Sequence, residues 1–142
     1  MKIVVDTNML LDFQAEREPY YRDSAVIWSL AESGRIDTNI SSISFNNIVH
    51  IARKQEDAKK SFEAIMFLRD VFKPVAPDAQ IINQAIDAKM KDFEDAIQYV
   101  SATRAQVDFL VTRNPDDFHH GPIPVCTPAE FVAMFETEKN ES

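Results

Sequence analysis

The sequence predicts a doubly wound α/β fold: a three-layer sandwich whose central, mostly parallel sheet is flanked by helices. Three observations predict it. Ile3-Val4-Val5 and Val107-Asp108-Phe109-Leu110-Val111 are short apolar runs without a clean polar alternation, as strands buried on both faces read. The segments between them carry apolar residues at helical spacing. Capping and turn residues separate strand from helix again and again, and strands that alternate with helices give a parallel sheet with right-handed crossovers.

The first strand ends at Asp6, and Met9 to Phe13 continues as a short helical or extended apolar piece. Residues 14–18 form a charged loop. Pro19 suits a first helical turn, Tyr21, Ala25, Trp28 and Ala31 recur at helical spacing, and Gly34 is placed to end that helix. Residues 35–40 read as a brief strand, and the hydroxyls of Ser41, Ser42 and Ser44 offer caps for a helix ending near Arg53 and Lys54. After a charged junction at 55–60, Phe62, Ile65, Leu68 and Phe72 trace an apolar helix face.

The prolines at 74 and 77 restrict residues 73–77 to a short edge strand. Asp78 caps a helix bearing Ile81, Ile82, Ala85 and Ile86. Residues 89–92 break the pattern, and a further helix starts near Phe93, with Phe93, Ala96, Ile97 and Val100 as its buried stripe. Residues 107–111 then form the second buried strand, closed by residues 112–118, and residues 123–125 a last short one. Thr127-Pro128-Ala129-Glu130 combines a capping box with proline at the first helical position, opening a helix with Phe131, Met134 and Phe135 inward. Residues 1–135 are expected to make a single domain, and 136–142 a polar C-terminal tail.

Composition narrows the function classes. The apolar run at the N-terminus stops at Asp6, unlike a secretory signal, and no segment approaches the ~20 apolar residues of a membrane span. One cysteine, Cys126, excludes an internal disulfide and fits a reducing cytoplasm. With 23 acidic against 15 basic residues, the net charge of −8 is the wrong sign for nonspecific phosphate binding. Nucleic acid is then either no partner, or is met at a local basic patch and through cations held by clustered carboxylates. Neither Gly34 nor Gly121 belongs to a phosphate-cradling loop.

The expected topology gathers polar residues at one place. Asp6 follows the first strand, Asn47 lies early in the helix after the second, and Asp95 sits in the first turns of the helix leading to 107–111. Asn114, Asp116 and Asp117 follow that strand. In a doubly wound sheet all of these meet at the carboxyl edge, where ligands bind. Gathered carboxylates repel one another unless a cation sits among them or some protonate, and an all-oxygen set without thiols suits Mg²⁺ or Mn²⁺. Each acid also has an ordinary role: Asp6 as a helix cap, Asp92, Glu94 and Asp95 as complements to a helix dipole, and Asp116-Asp117 as a turn.

Val5-Asp6-Thr7-Asn8, then Asp92-Phe93-Glu94-Asp95-Ala96-Ile97-Gln98-Tyr99, then Val111-Thr112-Arg113-Asn114-Pro115-Asp116-Asp117-Phe118 resemble, in that order, the three signatures of PIN domains. The ending, Ile123-Pro124-Val125 followed by Thr127-Pro128-Ala129-Glu130-Phe131, also resembles that of bacterial members. The resemblance implies a metal-dependent ribonuclease of PIN-like fold, of the kind that forms the toxin half of VapC-type toxin–antitoxin pairs. It assigns the catalytic metal ligands to Asp6, Asp95 and Asp117, a late acidic position to Asn114, and site-lining roles to Thr7, Asn8 and Thr112. The family's second acid falls on Asn47, which can ligate a cation or accept a hydrogen bond but brings no charge and takes no proton.

Two functional expectations follow. The first is hydrolysis of an RNA phosphodiester, with RNA met at Arg53, Lys54 and Arg113. The second is a catalytically weakened PIN-fold module that binds RNA or protein. Lys59 and Lys60 read as a solvated helix face, His119 and His120 as surface residues, and His50 as part of a polar face shared with Asn47 and Lys54. Trp28, Tyr20 and Tyr21 are either core or a groove for an antitoxin helix or a homodimer seam. A haloacid-dehalogenase-like phosphotransferase is disfavoured, because Asp6-Thr7-Asn8 lacks a second Asp two residues on.

Overall fold

Strand β1 (Lys2–Val5) is the centre of the molecule, flanked by β2 (Asp37–Ser41) on one side and β4 (Phe109–Val111) on the other. A computed structural model describes residues 1–55, 58–118 and 121–141 of the chain. Beyond β2 lies β3 (Lys73–Val75) and beyond β4 lies β5 (Val125–Cys126), giving the order β3-β2-β1-β4-β5 with every pairing parallel. The helices are α1 (Thr7–Gln14), α2 (Tyr21–Glu32), α3 (Ser42–Gln55), α4 (Ala58–Val71), α5 (Ala79–Asp87), α6 (Phe93–Ala105) and α7 (Pro128–Glu141), with a 3-10 turn at Pro115–Phe118. The predicted doubly wound fold is therefore found.

The sheet explains why β1 is apolar throughout. Ile3, Val4 and Val5 are all 0% exposed, and their alternation sends Ile3 and Val5 to one layer and Val4 to the other. The first layer packs Met9, Leu10, Trp28, Phe72 and Phe131, and the second Tyr99, Leu110 and Phe118. Burying a side chain of this size stabilises by about 1.5–3 kcal/mol. Trp28 is core: it stacks between Phe13 and Phe67, at 4.2 and 5.4 Å between ring centroids.

Helix starts follow the local chemistry. Asp78 accepts from the Ile81 amide at 2.9 Å, and Asp92 from the Asp95 amide at 3.0 Å. Thr127 and Glu130 exchange reciprocal bonds of 3.0 and 3.1 Å, the capping box expected there. Gly34, at φ 75°, ends α2.

Several boundaries and faces differ from expectation. Of the two forms expected for residues 9–13 the helical one is found, inside α1, whereas α7 takes in residues 136–141 of the expected tail. Strand β4 starts at Phe109, because Gln106 turns left-handed and Val107 still bonds back to Ala102. Phe93 is 48% exposed rather than buried. The reason is that α6 is wedged between α5 and the sheet, so its burial runs continuously from Ala96 to Ala102 instead of along a stripe. Phe62 and Ile86, both placed on apolar faces, are also exposed.

Candidate active site

The chain starts in the middle of the sheet, winds outward through β2 and β3, and returns to β4 and β5 on the far side. The winding reverses between β1 and β4, and a crevice opens at the strand C-termini there. Asp6 is the residue that leaves β1 at this point. It occupies the N-cap position of α1, with φ −71° and ψ 148°, but its side chain makes no capping bond. Its Oδ2 instead accepts from Thr112 Oγ1 at 2.8 Å, while its amide donates to Val111 O at 3.0 Å.

Thr112 is fully buried, and its hydroxyl also accepts from the Asn114 amide at 3.1 Å. One oxygen thus ties the loop after β4 to the carboxylate after β1. Asp6 is itself only 4% exposed. Burial raises its pKa, and the Thr112 hydroxyl and Gln98 amide offset that only in part. On the next residue, Thr7 Oγ1 lies 2.6 Å from Ser44 Oγ, bracing α1 against α3.

Asp95 reaches the crevice from the first turn of α6, and Asp117 from the 3-10 turn, whose start is fixed by a 3.1 Å bond from the Asp117 amide to Asn114 O. A cleft of about 380 Å³ is lined by Asp6, Thr7, Asn8, Asn47, Asp95, Asn114 and Asp117, together with Leu11, His50, Asp92, Glu94 and Gln98. Thr112 stands behind this wall, holding Asp6. The carboxyl of Asp95 is pushed up to about 7, first by burial and then by the charges of Asp92, Asp6, Asp117 and Glu94. Burial, with Asp92 and Asp6, raises Glu94 as well, against the pull of Asn47.

Apart from the His50 imidazole, the polar residues lining the cleft offer oxygen donors. Among the described residues, no three carboxylate, imidazole or thiol groups converge into a ready-made metal cage. The set fits a small hard cation that keeps several waters and takes one or two carboxylates, the mode in which Mg²⁺ is usually held. Asp6, Asp95 and Asp117 are the carboxylates available, and the repulsion that adds to burial in raising Asp95 is what a bound cation would relieve.

Of the expected RNA-contact residues, Arg113 lies in the loop after β4 and Lys54 on α3. Arg113 does not stand free for a phosphate: its Nη1 donates to Asp12 Oδ1 at 2.9 Å, and its guanidinium lies 4.5 Å over the Tyr20 ring. Asp12 is buried, at 1% exposure, and also faces Arg17 at 3.8 Å. Arg113 therefore braces the site loop onto α1. Lys54 is exposed on α3, whereas the Arg53 side chain, His119 and His120 lie outside the described residues.

Glu94 and Gln98 are cleft residues that the sequence did not single out. Glu94 read as a helix-terminal acid, and Gln98 was hidden in an apolar run. The available signal was spacing, since Gln98 is four residues from Glu94 and three from Asp95 and so shares their helix face.

The fold and site together define a class: an all-parallel doubly wound domain with an acidic cleft at its switch point. The PIN domain family model matches residues 2–116, and the chain belongs to that family. Ribonuclease VapC1 from Aquifex aeolicus is 26% identical over 141 residues, spanning 96% of each chain. Among solved structures, the chain is similar to the DNA-bound VapBC from Salmonella typhimurium, with TM-score 0.69 and 16% identity, covering 90% of this chain and 98% of that one. A toxin–antitoxin complex from Klebsiella pneumoniae gives TM-score 0.68 and 23% identity, covering 89% and 97%. No helix among the described residues is long and apolar enough to cross a membrane.

Proposed function

We propose that this protein is a divalent-metal-dependent ribonuclease and the toxin of a toxin–antitoxin pair, acting in the cytoplasm. The observation that carries the reading is the convergence of Asp6, Asp95 and Asp117, with Asp92 and Glu94, in one cleft at the switch point, where burial and then the neighbouring charges raise the Asp95 carboxyl. Membership of the PIN family and similarity to a protein named as a ribonuclease support it. In this reading Asp6, Asp95 and Asp117 hold Mg²⁺ or Mn²⁺. When bound, the cation supplies Lewis acidity and positive charge at the scissile phosphate.

The chain's own residues do the positioning. Thr112 fixes the Asp6 carboxylate, Asn114 and the 3-10 turn fix Asp117, and the Asp92 cap fixes the turn that presents Asp95. Thr7, Asn8 and Asn47 line the approach. With a net charge of −8, RNA affinity depends on the cation and on local contacts such as Lys54, with Arg53 beside it in sequence. Arg113 contributes by holding the loop. Exposed Val26, Phe62, Met66 and Phe67 form apolar surface suited to an antitoxin or a second copy.

Cleavage of a mixed RNA pool across a Mn²⁺ titration tests the reading. Wild type should give saturable, metal-dependent cleavage, and Asp95→Asn should lower it by about 100-fold or more. Equal activity in both proteins, or no dependence on metal, would sink it. The alternative, a weakened binding module, is favoured by one observation: the cleft wall on α3 carries Asn47, an uncharged amide, in place of a carboxylate.

A further inference from the structure

That amide has a partner. Asn47 Nδ2 donates to Glu94 Oε1 at 2.6 Å, joining α3 to α6 across the cleft that both residues line. We propose that Glu94 supplies the charge Asn47 lacks, so that the two residues together take the place of one carboxylate on α3. The inference rests on the metal-site reading above.

Three observations carry it. An acid in the first turn of a helix needs only to sit near the N-terminal amides, and in α6 the capping is already done by Asp92. Glu94 instead turns away from solvent to an amide on another helix, and is only partly exposed. Next, the chemistry of the pair fixes its orientation. A carboxylate accepts only from the NH₂ half of the amide, so Nδ2 faces Glu94 and Oδ1 is left as an oxygen donor for a cation.

The third observation concerns an uncharged residue, whose amide also bonds Asp6. Gln98 follows Glu94 by one turn, lines the cleft, and is 2% exposed, yet its Oε1 has no hydrogen-bond partner. Buried side-chain oxygens are nearly always partnered. An unmet acceptor in the wall beside Glu94, Asp6 and Asp95 is what a hydrated cation would satisfy.

The test is Mn²⁺ binding to the full chain, followed by the loss of the free-ion electron paramagnetic resonance signal, with metal-free melting measured alongside. Wild type should bind. Glu94→Gln should weaken binding by about tenfold or more, with an unchanged or raised metal-free Tm because one repelling charge is gone. The exchange Asn47→Glu with Glu94→Gln should recover most of the affinity. Wild-type-like binding by Glu94→Gln, while Asp6→Asn loses it, would overturn this inference and leave the metal site standing. A loss that comes with a lowered metal-free Tm would overturn it too. Absence of Mn²⁺ binding by wild type would overturn both.

Discussion

Asp6 answers to two neighbours at once: the end of β1 that buries it and the hydroxyl of Thr112 that receives it. A buried carboxylate without a donor is costly, and Thr112 donates to Asp6 at 2.8 Å, ahead of the Gln98 amide among its side-chain partners. Thr112→Val should therefore destabilise the fold by about 1–3 kcal/mol at neutral pH, because it takes one donor from buried Asp6 and orphans the Asn114 amide. Urea unfolding checks this, and a change within error would mean that water satisfies Asp6 instead. Asp6, Asp95, Asn114 and Asp117 were legible in the sequence because each follows a strand end or opens a helix in a doubly wound chain. Glu94 and Gln98 were not, because nothing in one sequence says which sides of α6 are covered. The Arg113–Asp12 pair was not legible for a related reason: Asp12 sits in a helix whose burial depends on the layer above it.

At the scale of elements, α6 does two things. Its middle fills the layer between α5 and the sheet, and its first turn carries Asp92, Glu94 and Asp95 to the cleft. The cap and the repulsion come from the same residue, since Asp92 accepts from the Asp95 amide and also raises the Asp95 carboxyl. Asp92→Ser separates them, because serine caps about as well as aspartate but carries no charge. The Asp95 pKa, followed by carboxyl NMR, should fall below about 7 while helix content is unchanged. An unmoved pKa would assign the shift to burial and the other three acids, without Asp92. The elements themselves were largely readable from capping and periodicity. The start of β4 was not, since the left-handed turn at Gln106 occurs without a glycine to announce it.

At the scale of the molecule, parallel winding from a central strand brings acids from distant stretches of chain to one crevice, and the unliganded protein bears their repulsion. The sign of the pH dependence follows. Asp95 has a folded pKa of about 7 against an ordinary 3.8, so the folded state holds its proton more tightly. Its stabilising contribution is complete below the ordinary value and is lost as pH rises through about 7. Asp78 runs the other way, since Arg104 lowers its pKa, so the comparison between wild type and Asp95→Asn isolates the cleft.

The most direct measurement is the Tm of these two proteins from pH 5 to pH 8, with and without Mn²⁺. Without metal, Asp95→Asn should become the more stable of the pair as pH rises through about 7. With Mn²⁺ at pH 8 the order should reverse, because only wild type gains binding energy on folding. Parallel metal-free curves, or an equal response of both proteins to Mn²⁺, would contradict the account that these carboxylates form one cation site.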